Sequence, residues 1–173
     1  LDNQTITPSA RTFTFKDLNV YQGSLTTDLY RYDNQIANQR FPCLNSNIDT
    51  STIKINITSN NTVTAWNKAG DLTGINSTST VFYLQENDEG LFEVYFGDGV
   101  IGAAPKDGDQ ISISYLVTDN NHANGASIFN MATSISGNSD VSFTNTISSS
   151  GGKDIETPDQ IRSINDIYND MRK

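Results

Sequence analysis

Three segments of the chain alternate between apolar and polar residues, and this period of two constrains the fold more than any other feature of the sequence. In the first segment, residues 51–58, an isoleucine recurs at every second position. The same alternation runs through residues 91–96 and 110–118. Successive side chains of a strand point to opposite faces of a sheet. Each segment is therefore predicted to be a half-buried β-strand.

Seven further segments carry a weaker strand pattern, with glycine-containing turns between several of them. They are residues 12–15, 18–22, 28–32, 62–66, 80–85, 132–135 and 141–147. Only 18% of the residues are charged, and short polar residues, which disfavour helices, are abundant. The predicted fold class is all-β, either a β-sandwich or a barrel-like meander of short antiparallel strands, with a short C-terminal helix.

The pattern changes near the end of the chain. Residues 148–152 are small and predict a hinge, and residues 157–160 carry the signals of a helix start, with apolar residues at helical spacing after them. We expect a β-rich domain over residues 1–152, either one unit or two sub-units divided near residues 67–79. Residues 153–173 are expected to form a hinge and a helix, which either docks on the sheet or leads toward a further domain or a partner.

The charge of the chain argues against two classes of partner. Eleven basic residues against twenty acidic ones leave a formal net charge of −9. Nucleic acids and anionic membranes both attract clustered Lys and Arg, so neither is expected as a partner. No segment approaches the roughly 20 apolar residues that a membrane-spanning helix needs.

A match to the dinucleotide-binding pattern G-x-G-x-x-G lies at residues 97–102, and Asp119 lies about where a ribose-binding acid would be. That motif needs a helix that begins at its last glycine and holds the phosphates. Here residues 103–108 lead within a few positions into another alternating strand. The pattern is therefore interpreted as a turn within a β-meander, and no cofactor is expected.

Other candidate sites are weak. The acidic loops 86–90, 107–109 and 119–121 offer oxygen ligands suited to Ca²⁺, but none has the spacing of a calcium loop. Cys43 is interpreted as a small buried apolar residue, and a catalytic pairing with His122 is not favoured. Carboxylates are plentiful, yet nothing singles out a catalytic pair. No catalytic, cofactor-binding or metal-binding residue is predicted, and the chain is expected not to be an enzyme.

Several longer segments resemble a known family. The chief ones are residues 92–102, 108–116 and 124–126, with further agreement at 20–23, 41–44, 47–53, 151–157 and 161–162. Together they resemble the signature stretch of baseplate J-like proteins and, more narrowly, the wedge subunit of T-even-like contractile-tailed phages. The chain departs from that pattern after Arg162. Family chains are much longer, so the start at Leu1 is expected to be that of a fragment.

The resemblance implies a structural module of a phage tail baseplate wedge, part of the virion and made in the host cytoplasm. It implies other wedge subunits and copies of the chain itself as partners, with no small-molecule substrate. It assigns a structural role to a set of signature residues: Phe96, Gly97, Asp98, Gly99, Gly102, Gly108, Tyr115, Asn124 and Gly125.

Two alternatives stay open at this point. One is a carbohydrate- or calcium-binding β-sandwich module of a tail or cell-surface protein, suggested by the Asn/Asp-rich loops and by aromatic residues expected to be partly exposed. These aromatic residues, which would equally suit a protein interface and at least half of which are expected to lie in the core, are Tyr21, Tyr30, Tyr32 and Trp66. The other alternative is a glycan-degrading enzyme, for which the only argument is the number of carboxylates.

Overall fold

The computed structural model describes residues 19–71, 73–134, 137, 139, 142–144 and 147–154. Its strands are β1 (Ser24–Arg31), β2 (Phe41–Pro42), β3 (Ile48–Ser59), β4 (Thr62–Lys68), β5 (Val81–Glu86), β6 (Phe92–Phe96) and β7 (Gln110–Val117). These described residues contain no helix, and hence none that could cross a membrane. The predicted all-β class is confirmed. The helix expected after residue 157 lies outside the described residues.

All seven strands belong to one sheet with the order β1-β7-β3-β4-β5-β6-β2. Every pairing is antiparallel except that of β4 with β5, which is parallel. This pairing joins strands at the two ends of residues 67–79, where a division into two sub-units was one of the two expected arrangements. The two edge strands, β1 and β2, approach each other through side chains. The Tyr30 hydroxyl donates to the Pro42 carbonyl, and the Tyr30 and Phe41 ring centroids are 5.5 Å apart. The sheet is thus a nearly closed, barrel-like structure.

The core follows the predicted alternation. On β3, Ile55 and Ile57 are buried, and the strand register places them opposite Ile113 and Ile111 of β7. Burial of each such side chain stabilises the fold by about 1.5–3 kcal/mol. The complete set of buried apolar residues is Phe41, Cys43, Ile55, Ile57, Trp66, Phe82, Val94, Ile111, Ile113 and Tyr115. Strands β3 and β7 therefore supply much of the core, and each buries one face, as its alternation predicts.

The pairing of β3 with β7 is interrupted between Asp49 and Lys54. Within this bulge the Thr52 hydroxyl donates to the Asp49 carbonyl at 2.7 Å and accepts from the Leu116 amide at 3.0 Å. A side chain here replaces a ladder hydrogen bond, which keeps the backbone groups satisfied where the strand bends.

Three of the weaker strand predictions are wrong in the part of the chain that is described. Residues 19–22 lie outside any strand, because Gln22 is attached by its side chain: its amide donates to Asp119 and accepts from the Asp119 backbone. Residues 132–134, 142–144 and 147 are not in strands either. The segment 12–15 lies outside the described residues.

The β-meander expected across β6 and β7 is also wrong. β6 pairs with β5 and β2, whereas β7 lies between β1 and β3. Residues 97–109 therefore connect two strands that are not neighbours in the sheet, and no strand forms within them. Most of the signature residues named above lie in this connection.

Candidate functional site

The glycine-rich connection after β6 begins with a tight turn at residues 97–102. A Cβ atom added to Gly97 would overlap the carbonyl oxygens of Ile101 and Gly102. Gly99 and Gly102 have φ values of 87° and 86°, a region that only glycine adopts freely. The Gly99 amide donates to the Gly102 carbonyl at 3.0 Å and closes the turn. These glycines are thus required by the backbone geometry, and no helix begins at Gly102.

Asp98 holds the turn from within. Its Oδ1 atom accepts from the amides of Val100 and Ile101 at 2.9 and 3.1 Å. These backbone hydrogen bonds lower the pKa of the Asp98 carboxyl, since they favour its charged form. The turn also bonds to the loop before β5, because the Gly102 amide donates to the Asn76 carbonyl at 3.2 Å. Residues 97–102 therefore form a turn that is held by hydrogen bonds within itself and to the loop before β5.

A second turn, at residues 106–109, attaches the connection to the end of β1. Asp109 is buried, and its Oδ2 accepts from the Lys106 amide at 2.8 Å. The Gly108 amide donates to the Tyr32 carbonyl, and the Tyr32 amide donates to the Asp109 carbonyl, both at 2.9 Å. Gly108 has a φ of 80°. This turn therefore aligns the start of β7 with β1.

Tyr115 lies elsewhere, in the core of β7, and forms a polar contact between β1 and the segment after β2. Its hydroxyl donates to Asp28 Oδ2 at 2.5 Å and accepts from Asn45 Nδ2 at 3.0 Å. The same Asp28 oxygen accepts from the Leu44 amide at 3.1 Å. We call Asp28, Asn45 and Tyr115 the polar pin. It closes the gap between the two edges of the barrel.

Burial disfavours the charged forms of three titratable groups in or beside the polar pin, Tyr115, Tyr30 and Cys43. Burial, followed by the hydrogen bond to Asp28, raises the pKa of the Tyr115 hydroxyl to about 12. Burial and the nearby charge of Asp28 likewise raise the pKa of Tyr30 and of the Cys43 thiol to about 12. Cys43 is fully buried, as predicted, and its thiol stays protonated at neutral pH.

These shifts predict that the barrel loses stability in alkali. The ordinary pKa values are 10.0 for tyrosine and 9.0 for cysteine, so between about pH 9 and 12 the folded chain binds more protons than the unfolded chain. The free energy of unfolding is then fully retained below pH 9 and declines as the pH rises toward 12. Urea unfolding across this range should show the decline, and Tyr115→Phe should reduce its slope. An unchanged midpoint from pH 8 to 11 would contradict this prediction.

Asn124 and Gly125 form a third contact of this kind, between the loop after β7 and the chain near residue 150. We call the contacts at residues 97–102, 106–109 and 124–125 the joints. The Asn124 side chain accepts from the Gly152 amide at 3.0 Å and donates to the Gly152 carbonyl at 2.9 Å. The Gly125 amide donates to the Ser149 carbonyl at 2.8 Å. Two regions that resemble the same family in sequence are thus in direct contact.

The signature residues therefore do not converge on one pocket. Phe96 packs against the core, Gly102 contacts the loop before β5, Gly108 contacts Tyr32, and the pair at 124–125 contacts residues 149–152. The sequence did not indicate Asp28 or Asn45. No local pattern marked Asp28, because β1 carries leucines at the exposed positions 25 and 29 and a carboxylate at an inward one.

Side-chain oxygens of the acidic loops accept hydrogen bonds from their own loop or from other segments of the chain. Asn87 Oδ1, for example, accepts from the amides of Glu89 and Leu91, both at 3.0 Å. Within the described residues no group of three or more His, Cys, Asp or Glu side chains could hold a metal ion. His122 is exposed, whereas Cys43 is buried.

The four aromatic residues considered as surface anchors differ in environment. Trp66 is buried in the core, and Tyr30 and Tyr32 pack against it. Tyr21 alone among the four is largely exposed, with 63% of its surface accessible. Most of this set therefore stabilises the barrel.

Comparisons with known proteins match the region that contains the first two of these joints. A family model described as the third domain of the bacteriophage baseplate wedge protein gp6 matches residues 28–118, more than half of the chain and nearly the whole barrel. The baseplate wedge protein gp6 of enterobacteria phage T4 is 29% identical over 122 residues. That alignment covers 56% of this chain and 18% of the T4 protein. The chain thus matches only a small part of that relative.

Proposed function

Because the chain belongs to the family of the third domain of the bacteriophage baseplate wedge protein gp6, we propose that it is an assembly module that forms subunit–subunit contacts in the baseplate ring. A baseplate wedge protein is a structural protein of the virion, located at the phage tail baseplate. The proposed partners are other wedge subunits and copies of the chain itself. The match of the family model to residues 28–118, nearly the whole barrel, carries this proposal.

The joints support a structural role for the signature residues. Each uses glycine or a short polar side chain to hold a connection against a strand or a neighbouring loop, as at Gly97, Gly108 and Asn124. A connection held in this way presents its outer side chains in a fixed geometry. Fixed loops lower the conformational entropy that association must overcome.

We propose further that the module is not catalytic. Two of its buried titratable groups, Cys43 and Tyr115, have pKa values raised to about 12. At neutral pH they remain neutral, so neither supplies a nucleophile or a general base. The Asp28 carboxylate accepts hydrogen bonds from Tyr115 and Leu44, which commits it to the closure of the barrel.

The assembly proposal is tested by sedimentation velocity of the purified chain, alone and mixed with purified wedge subunits. Self-association, or a faster-sedimenting complex in the mixture, is expected. A chain that stays monomeric alone and in the mixture, and that fails to compete for wedge assembly, would overturn the proposal. Turnover of a cell-wall or capsule glycan, abolished by one carboxylate substitution, would overturn the non-catalytic assignment.

A further inference from the structure

The outer face of β5 and β6 carries a pair of stacked tyrosines. Tyr83 and Tyr95 are directly opposite in the strand register, with ring centroids 5.1 Å apart and an interplanar angle of 22°. The Arg40 guanidinium lies 3.9 Å from the centre of the Tyr95 ring. Since β6 lies between β5 and β2 in the sheet, Tyr83 and Arg40 approach Tyr95 from opposite sides. Both faces of the Tyr95 ring are therefore covered.

The turn at residues 97–102 continues this surface. The Tyr83 hydroxyl donates to the Ile101 carbonyl at 3.4 Å, and a Cβ added to Gly102 would lie 3.1 Å from the Val81 side chain. Val100 and Ile101 nevertheless point into solvent, with 71% and 54% of their surfaces exposed. Two adjacent apolar side chains are thus presented at the tip of a turn whose backbone is fixed on both sides.

We propose that Arg40, Tyr83, Tyr95, Val100 and Ile101, which we call the tyrosine-turn surface, dock on a neighbouring protein subunit of the baseplate. The partner surface would present an apolar recess for Val100 and Ile101 and a carboxylate at its rim for Arg40. This inference rests on the proposed function and deepens it by naming the contact. Tyr and Arg, beside apolar residues held in place before association, are typical of the residues that dominate protein–protein affinity.

Charge complementarity favours the carboxylate. Arg40 is exposed, and no carboxylate of the described residues forms an ion pair with it. The ring contact holds the guanidinium in place, while its edge remains available for hydrogen bonds. An Arg side chain of this kind matches a planar carboxylate in two parallel hydrogen bonds.

The geometry favours a protein over a carbohydrate. A sugar packs against an open aromatic face, but Tyr83 and Arg40 already cover the two faces of Tyr95. The solvent-exposed apolar groups are the aliphatic side chains of Val100 and Ile101, which suit a recess in a protein surface better than a polar sugar.

The test compares two matched double variants of the chain in wedges reconstituted from purified wedge subunits. Val100→Ser with Ile101→Ser removes the apolar tip, and Leu25→Ser with Leu29→Ser removes two exposed apolar side chains of β1. All four positions are exposed, so thermal melting should confirm that both variants fold. We expect the tip variant to bind at least about tenfold more weakly, as loss of a central contact does, and the β1 variant to bind like the unmodified chain. Arg40→Glu should also weaken binding.

The outcomes separate this inference from the proposed function. If the unmodified chain joins the wedges and the tip variant joins equally well, the tyrosine-turn surface is overturned while the proposed function stands. Equal losses in the two double variants also overturn it. If the unmodified chain does not join at all, both fail. Binding of the unmodified chain to a glycan panel, lost in the tip variant while wedge binding persists, would assign the surface to carbohydrate instead.

Discussion

Gly97→Ala is expected to lower the free energy of unfolding by about 3 kcal/mol or more, near the upper end of the effects of single substitutions. The added methyl group would overlap two backbone carbonyl oxygens of the same turn, at Ile101 and Gly102. Backbone atoms cannot rotate away as a side chain can, so the whole turn would have to open. Urea unfolding followed by circular dichroism measures the change.

Gly70→Ala is the matched control. No heavy atom lies within 4 Å of the Cβ that it would add, and Gly70 is not among the glycines with a positive φ. It should be neutral, or stabilise the chain by about 0.4–1 kcal/mol through the loss of unfolded-state entropy. Equal stabilities of the two variants would show that the turn at residues 97–102 does not have the described backbone.

Asp28→Ala is expected to cost about 2–4 kcal/mol of stability. Asp28 accepts from the Tyr115 hydroxyl and from the Leu44 amide. The hydrogen bond from Tyr115 is part-buried and ends on a charged group, so it contributes about 1.5–3 kcal/mol, whereas the exposed one from Leu44 contributes less. Their loss also leaves a buried hydroxyl with one partner fewer. Asp28→Asn retains an oxygen acceptor without the charge and should cost less.

A double-mutant cycle with Tyr115→Phe isolates the direct contact. We expect a coupling energy of about 0.5–3 kcal/mol between Asp28 and Tyr115, as is usual for residues that share a hydrogen bond. Additive effects of the two substitutions would mean that Asp28 and Tyr115 do not share a hydrogen bond. The contacts that close the barrel would then be those of Asp28 with the Leu44 amide, of Tyr115 with Asn45, and of Tyr30 with Phe41 and Pro42.

The sequence correctly predicted the strands that bury one face and expose the other. β3 and β7 have a strict alternation, and Ile55, Ile57, Ile111 and Ile113 are buried as expected. A side-chain period of two is a local property, so it can be recognised without knowledge of the strand neighbours.

β1 shows where local patterns fail. Its exposed positions include Leu25 and Leu29, whereas the polar Asp28 faces inward and is bound to Tyr115. On β1 the apolar leucines therefore face outward and the polar Asp28 faces inward, and the hydrogen bond from Tyr115 explains the position of Asp28. The sequence prediction accordingly began the strand at residue 28 instead of Ser24.

The strand order could not be predicted either. β7 lies between β1 and β3, far from β6 in the sheet although it follows β6 in sequence. Such pairings are decided by long-range packing, whereas the meander was inferred from the order along the chain. The turn itself was predicted correctly, because Gly97, Gly99 and Gly102 have steric requirements that belong to the turn alone.

The most direct test of the assembly role is an electron-microscopy reconstruction of wedges and baseplate rings that contain this chain. We expect density for the barrel between neighbouring subunits, with the turn at residues 97–102 in contact with one of them. A barrel that projects into solvent, touching nothing but its own polypeptide, would contradict the account.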